Sequence, residues 1–287
     1  MTRKADHGVT LLFGLALLAL TAAIVVAMAV ESDRSITRSQ TYDEAGAAQA
    51  LIAAGEVSAL IALRRDGEVA PEIDHAGEAW AKTGQNEVAI GGGRFSLQIA
   101  DAQGLFNLNN LATEGVLAQQ RLTDITKALG LAPELAKRII AAYGTGQSLA
   151  RLSDLTRVAA ATPSDLTALA QMVTVLPSVT DVNLNAAPVD LIAVLLQSPK
   201  LARQLDTKRA VRGFLTQLDL QGLGIILPAG LGLQSNFFRL RVTVQVAGTV
   251  QTTTSLIQRR IGQGPVAAAV IARESVMAAG SPPPPSP

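Results

Sequence analysis

Two histidines and no cysteine narrow the chemistry open to this chain. Without thiols there are no disulfides, thiolate zinc sites or cysteine nucleophiles. His7 lies near the amino end and His75 in the acidic, glycine-containing stretch PEIDHAGEAW, too few for a histidine triad or a His-rich metal site. His75 reads as a loop residue. The sequence contains no GxSxG, no HExxH and no P-loop. GGGRF at 91–95 has the glycines of a phosphate cradle but not the helix that must follow one, and reads as a strand entrance or bulge. Asp154 and Asp165 read as helix caps or surface charges. Asp101, Asp181 and Asp190 are too dispersed for the carboxylate-rich loop that calcium requires. No catalytic, cofactor-binding or metal-binding residue is assigned, and the chain is read as not an enzyme.

The 287 residues suffice for one large domain or two modest ones. Lys plus Arg number 24 against 23 for Asp plus Glu, so no overall charge excess draws the chain to nucleic acid.

The elements are read from the amino end. Val9 to Val30 carries no charge and as a helix spans about 33 Å, enough to cross a bilayer. Arg3 and Lys4 precede it and Glu31, Asp33 and Arg34 follow, which places the amino end in the cytoplasm and the bulk of the chain outside. AMA at 27–29 leaves a cleaved secretory signal open. Beyond Val30, however, proline-free sequence rich in Ala and Leu carries the same helix on to about Arg65. Ala45, Ala48, Leu51, Ile52, Gly55 and Leu60 give that second half a narrow face of small and apolar residues suited to packing on a sheet.

EVAIGGGRFSLQIAD (87–101) alternates as a half-buried strand, and NFFRLRVTVQVAG with TVQTTTSLIQRR reads as a hairpin turning at Gly248. Between them, LAQQRLTDITKALG, PELAKRIIAAYG, LARLSDLTRVA, PSDLTALAQMV, PVDLIAVLLQ and LARQLDTKRAVRGFLTQLD read as helices. Pro133 and Pro188 stand near first turns, Ser153 and Ser164 are candidate caps, and Gly130 and Gly144 are stops. The fold class is α+β: a long N-terminal helix on an antiparallel sheet, with an all-α domain inserted. The boundaries read are 31–65 for the helix continuation, 66–112 and 230–262 for the sheet domain, 113–229 for the insertion and 263–287 for a disordered Ala/Pro-rich tail ending GSPPPPSP. The peptides DAQGLFNLNNL (101–111) and VNLNAAP (182–188) both contain Asn-Leu-Asn, whose side chains suit capping where an extended segment enters a helix.

A short basic leader ending in Gly8, followed by a membrane helix that runs into a globular domain, resembles the type IV pilins and type II secretion pseudopilins. With FNLNNL, VNLNAAP and SNFFRLRVTV in this order, the chain to about residue 260 resembles the minor pseudopilin K family, also called general secretion pathway protein K. The resemblance implies cutting by a prepilin peptidase between Gly8 and Val9 and methylation of the new terminus at Val9. It further implies a bacterial inner-membrane, single-pass location with a periplasmic domain, and partnership with the minor pseudopilins I and J at the filament tip. Secreted substrates and the outer-membrane secretin are implied contacts. Calcium binds some members; this sequence lacks their acidic DWxDxD-like stretch and does not support it. Most pseudopilins carry Glu at the fifth mature position, whereas this family lacks it, and Phe13 stands there. A carboxylate in hydrocarbon requires a partner, so its replacement fits a subunit with nothing above it.

The rival reading is a membrane-anchored periplasmic DNA-binding protein, because KALGLAPELAKRIIAAYGTGQSLARLSDLTRVA resembles a helix-hairpin-helix unit. Between Leu131 and Leu176, Lys137, Arg138, Arg151 and Arg157 meet Glu134, Asp154 and Asp165, too little excess charge for strong phosphate binding. No nucleic-acid partner is expected.

Overall fold

No proline occurs before Pro71, and the chain of this computed structural model is accordingly one helix, α1, from Arg3 to Val69. The structure describes residues 3–90, 93–146, 148–246 and 249–279 and divides into two compact units, residues 1–51 and 52–287. In the first unit, Gly14–Ser35 forms a stretch of 22 residues with mean hydropathy 2.2, long and apolar enough to cross a membrane and with none of its surface buried. Tyr42–Val69 passes the same test, but in the second unit its residues Ile52, Gly55, Ala59 and Leu63 are buried at helical spacing. A Cβ on Gly55 would stand 3.1 Å from Val242 and 3.2 Å from Leu97, so glycine lets the helix lie close on the strands.

A one-turn helix, α2 (Ala79–Lys82), buries Trp80. The sheet strands are β1 (Gln85–Ile90) and β2 (Gly93–Asp101), followed after the insertion by three long strands. The insertion opens with β3 (Phe106–Asn107), a 3-10 turn, α3 (Gly115–Ala128) and α4 (Pro133–Gly144). It continues through α5 (Leu155–Val158), α6 (Pro163–Leu169) and β4 (Val173–Thr174). Then come β5 (Val182–Asn183), α7 (Val189–Leu195), α8 (Pro199–Arg212), α9 (Gln217–Gly222) and β6 (Leu231–Gly232). The chain finishes on β7 (Phe237–Val246), β8 (Thr249–Gly262) and β9 (Gly264–Ala279). The sheet order is β1-β2-β7-β8-β9 with every neighbour antiparallel, so the helical insertion lies between two adjacent strands.

The insertion is two modules of one pattern. Each runs two-residue strand, Asn-Leu-Asn, helix pair, short helices (α5 and α6 in the first, α9 alone in the second), two-residue strand, and in each the flanking strands pair in parallel, β3 with β4 and β5 with β6. Leu122, Ile139 and Leu155 of the first and Leu191, Leu205 and Leu220 of the second belong to one continuous core. Helix hairpins turn through left-handed backbone at Gly130 (φ 68°) and Gln197 (φ 51°).

Three expectations are corrected. Residues 264–279 are not a disordered tail: they form β9, where Val266, Val270 and Val276 have strand-forming shapes and thirteen residues pair with β8. Alanine repeats conceal a strand that only a long partner stabilises. Ser153 and Ser164 do not cap helices; the capping boxes are made by Asp154, and by Thr162 with Asp165. Helix α1 ends at Val69 rather than Arg65, where Pro71 stops it. Gly91, Gly92, the Gly248 turn and GSPPPPSP lie outside the described residues.

Candidate functional site

The first element of interest is the pair of asparagine clamps that hold the insertion. Asn107 Oδ1 accepts from Asn109 N (3.1 Å) and from Leu176 N (3.0 Å). Asn109 grips a peptide strand from both sides: its Nδ2 donates to Leu149 O and its Oδ1 accepts from Leu149 N and from the Tyr143 hydroxyl (2.8 Å). In the second module Asn183 Oδ1 accepts from Asn185 N (2.9 Å). Asn185 then grips Leu215, donating to its carbonyl (3.2 Å) and accepting from its N–H (2.6 Å). All four asparagines are buried. In each module, the gripped leucine leads into the short helix boxed by an aspartate, Asp154 or Asp219. The two loops touch where a Cβ on Gly104 would stand 2.7 Å from Ala186 O, which requires glycine there.

The second element is a charged knot at the joint between insertion and sheet. Arg259 of β8 is fully buried; it donates to Asp66 (2.8 Å), to Asp74 (2.6 Å) and to Ser235 O (2.8 Å), and its guanidinium stands over Phe238 at 4.8 Å. Asp74 Oδ2 accepts from Ser235 N (2.7 Å). Asp101, the last residue of β2, accepts from the Ser235 hydroxyl (2.6 Å), Asn183 Nδ2 (2.7 Å) and Gln103 N (2.7 Å). Five chain segments meet in this network. Burial pushes the Asp101 and Asp66 carboxyls up to about 6, and raises those of Asp74 and Glu78. Burial lowers the pKa of His75 against the pull of Asp66 and Asp74.

Asp66, Asp74 and Glu78 bring carboxylate oxygens within 4.8 Å of one another, a geometry able to hold a cation. Arg259 already supplies a cation to the two aspartates, and Glu78 is engaged by His75 N (2.9 Å) and Trp80 Nε1 (2.8 Å). The donor set is thus that of an ion-pair knot. His75 is a loop residue, but one with partners: it stacks on Phe214 at 4.3 Å, and its Nδ1 accepts from Gly77 N. No periodicity announces that stack. Asp101 takes part in the knot, while Asp181 and Asp190 do not. Of the four basic residues in the first hairpin unit, Lys137 pairs with Glu134 (2.8 Å) and Arg138 donates to Ala159 O (2.7 Å), which leaves little for a phosphate backbone. Gly8, Val9 and Phe13 lie together in the first turns of α1.

Among solved structures, the crystal structure of the GspK-GspI-GspJ complex from the type 2 secretion system of enterotoxigenic Escherichia coli contains a similar chain. The match has a TM-score of 0.66 and 22% sequence identity, and covers 83% of this chain and 99% of that one. The two share a fold. It is the pilin-like arrangement of N-terminal helix and antiparallel sheet with a helical insertion, seen here with its two asparagine-clamped modules. No protein-family model matches the sequence, and no curated protein does.

Proposed function

We propose that this chain is a non-catalytic minor pseudopilin of a type II protein secretion system. The observation that carries the reading is the shared fold over 99% of a chain from a complex of the K, I and J components. In this reading the apolar stretch from Val9 to Val30 anchors the protein in the bacterial inner membrane, with Arg3 and Lys4 keeping the amino end cytoplasmic. Prepilin peptidase cuts between Gly8 and Val9, and Val9 becomes the methylated terminus. Minor pseudopilins I and J pack beside the helix, and the bulky insertion caps the filament tip, where it initiates assembly and meets secreted substrates and the secretin. Small residues Gly14, Ala16, Ala19, Ala22 and Ala23 suit helix packing in the bilayer. Phe13 at the fifth mature position removes the carboxylate that a subunit above would have to neutralise.

The mass of the mature protein tests processing: loss of MTRKADHG with gain of one methyl group is expected, and an intact amino terminus overturns the reading. Phe13→Glu is expected to leave that mass change in place while reducing recovery of I and J in detergent pull-downs at least tenfold. Unchanged recovery and secretion would remove the tip placement.

A further inference from the structure

A groove of about 410 Å³ runs between the first helical module and the open face of the sheet. Its wall is Ala150–Ser153 with Val173–Val175, and its floor is Arg239 of β7, Thr254 and Leu256 of β8, and Ala272 and Glu274 of β9. The register places Arg239 opposite Leu256 and Leu256 opposite Ala272, with Glu274 opposite Thr254 two residues along. At this level β9 is bulged: Leu256 pairs with Ala272 but Ile257 pairs with Val270, leaving Ile271 as the extra residue.

Arg239 is the unusual component. Its Nη2 donates to Thr174 Oγ1 (2.9 Å), and among the described residues it makes no ion pair. Much of its surface is open to the groove, yet enough protein surrounds it that burial lowers its pKa with no carboxylate acting in the opposite direction. Arg121 differs: burial lowers its pKa too, but Glu114 and Asp181 act in the opposite direction and offset part of the penalty. A guanidinium exposed in a groove, held by one hydroxyl and without a counter-ion, is free to take a carboxylate or other planar anion brought from outside. Arg151 lines the same groove and adds charge of the same sign. Leu256, Ala272, Leu105 and Leu152 offer an apolar floor that a small hydrated anion cannot use, and Glu274 at the other end opposes a dianion while suiting peptide N–H donors.

From this complementarity we infer that the groove binds an extended peptide segment of a partner polypeptide, its terminal carboxylate on Arg239 and an aliphatic side chain on the Leu256–Ala272 floor. The inference does not depend on the secretion reading.

The test uses the full chain in detergent micelles and fluorescence anisotropy of a labelled peptide, Gly-Ser-Gly-Ala-Ala-Leu with a free carboxyl terminus. Its C-terminal amide is expected to bind at least tenfold more weakly. Arg239→Gln weakens the acid peptide at least tenfold with an unchanged melting temperature, while Arg241→Gln on the same strand leaves binding as it is. Ala272→Trp, which fills the floor at an exposed position, abolishes binding by a route independent of charge. Equal binding of acid and amide overturns the proposal, as does unchanged affinity in both Arg239→Gln and Ala272→Trp. Displacement by inorganic phosphate as effective as that by unlabelled peptide overturns it too, by making the groove a simple anion site.

Discussion

The two Asn-Leu-Asn modules share one local design and are attached differently. In the first, every asparagine bond stays within the helical domain: Asn107 and Asn109 reach Leu149, Leu176 and Tyr143, and a third residue, Asn110, holds Thr180. In the second, Asn185 does the same local work on Leu215, but Asn183 turns outward. Its Nδ2 faces Asp74 O, Asp101 Oδ2 and Ser235 Oγ, all members of the knot built around Arg259. One motif therefore serves as an internal staple in one module and as a tether to the sheet in the other. What a buried asparagine does is decided by which backbone the topology delivers to it, not by the tripeptide.

The sharpest way to break this comparison is to substitute each tether and watch both regions separately. Trp80 is the sole tryptophan and is buried edge-on against Phe238 in the sheet region, so its fluorescence reports the sheet while far-ultraviolet circular dichroism reports mainly helix. Asn183→Ala strips partners from buried acceptors on both sides of the joint and should cost about 3 kcal/mol or more, shifting the two signals together. Asn109→Ala should lower the helical transition by a similar amount while Trp80 responds less. Coincident shifts in both variants would mean that the modules are not attached differently.

A smaller effect is expected where the loops touch. Gly104→Ala sets a methyl group against the Ala186 carbonyl and should cost about 2 kcal/mol, read as a lowered urea midpoint. Gly130→Ala, at a left-handed but open position, should cost about 1 kcal/mol, because only backbone strain opposes it.

The smallest effect separates the knot from the purely internal module by pH. Asp101 and Asp66 titrate near 6 in the folded chain and near 4 when unfolded, so the folded state binds protons more tightly between those values. Their contribution to stability is fully present below about pH 4 and is lost as pH rises through about 6. Stability higher at pH 5 than at pH 7.5 by an amount of order 1 kcal/mol, read as a higher melting temperature at pH 5, is expected. Asp101→Asn should flatten the profile, whereas Asn109→Ala should lower it without changing its slope.

Much of this was legible in the residues. Alternation over Phe95, Leu97 and Ile99 and over Phe238 to Val246 identified β2 and β7, and the proline-free stretch before Pro71 identified α1, because period and length are local properties. The asparagines were legible as caps but not as clamps, since the partners they hold lie from 30 to 109 residues away. The knot was invisible: Asp66, Asp74 and Arg259 belong to no motif, and Asp101 stands among acids too dispersed in sequence to suggest a cluster until the sheet brings the four together. β9 was misread because alanine carries no β signal of its own, and pairing with β8 supplied what propensity lacked.

The pairing of Asp101 with Phe238 has a consequence for how such a chain could arise. The last residue before the insertion and one of the first after it stand opposite each other on neighbouring strands, and Gln103 bonds across to Asn236 and Phe237 as a latch. The 136 positions between them, from 102 to 237, open and close at one doorway. A short turn joining β2 directly to β7 would complete an uninterrupted meander. The helical pair therefore hangs from a single hairpin: a module that could be lengthened, doubled or exchanged without redrawing the sheet that carries it.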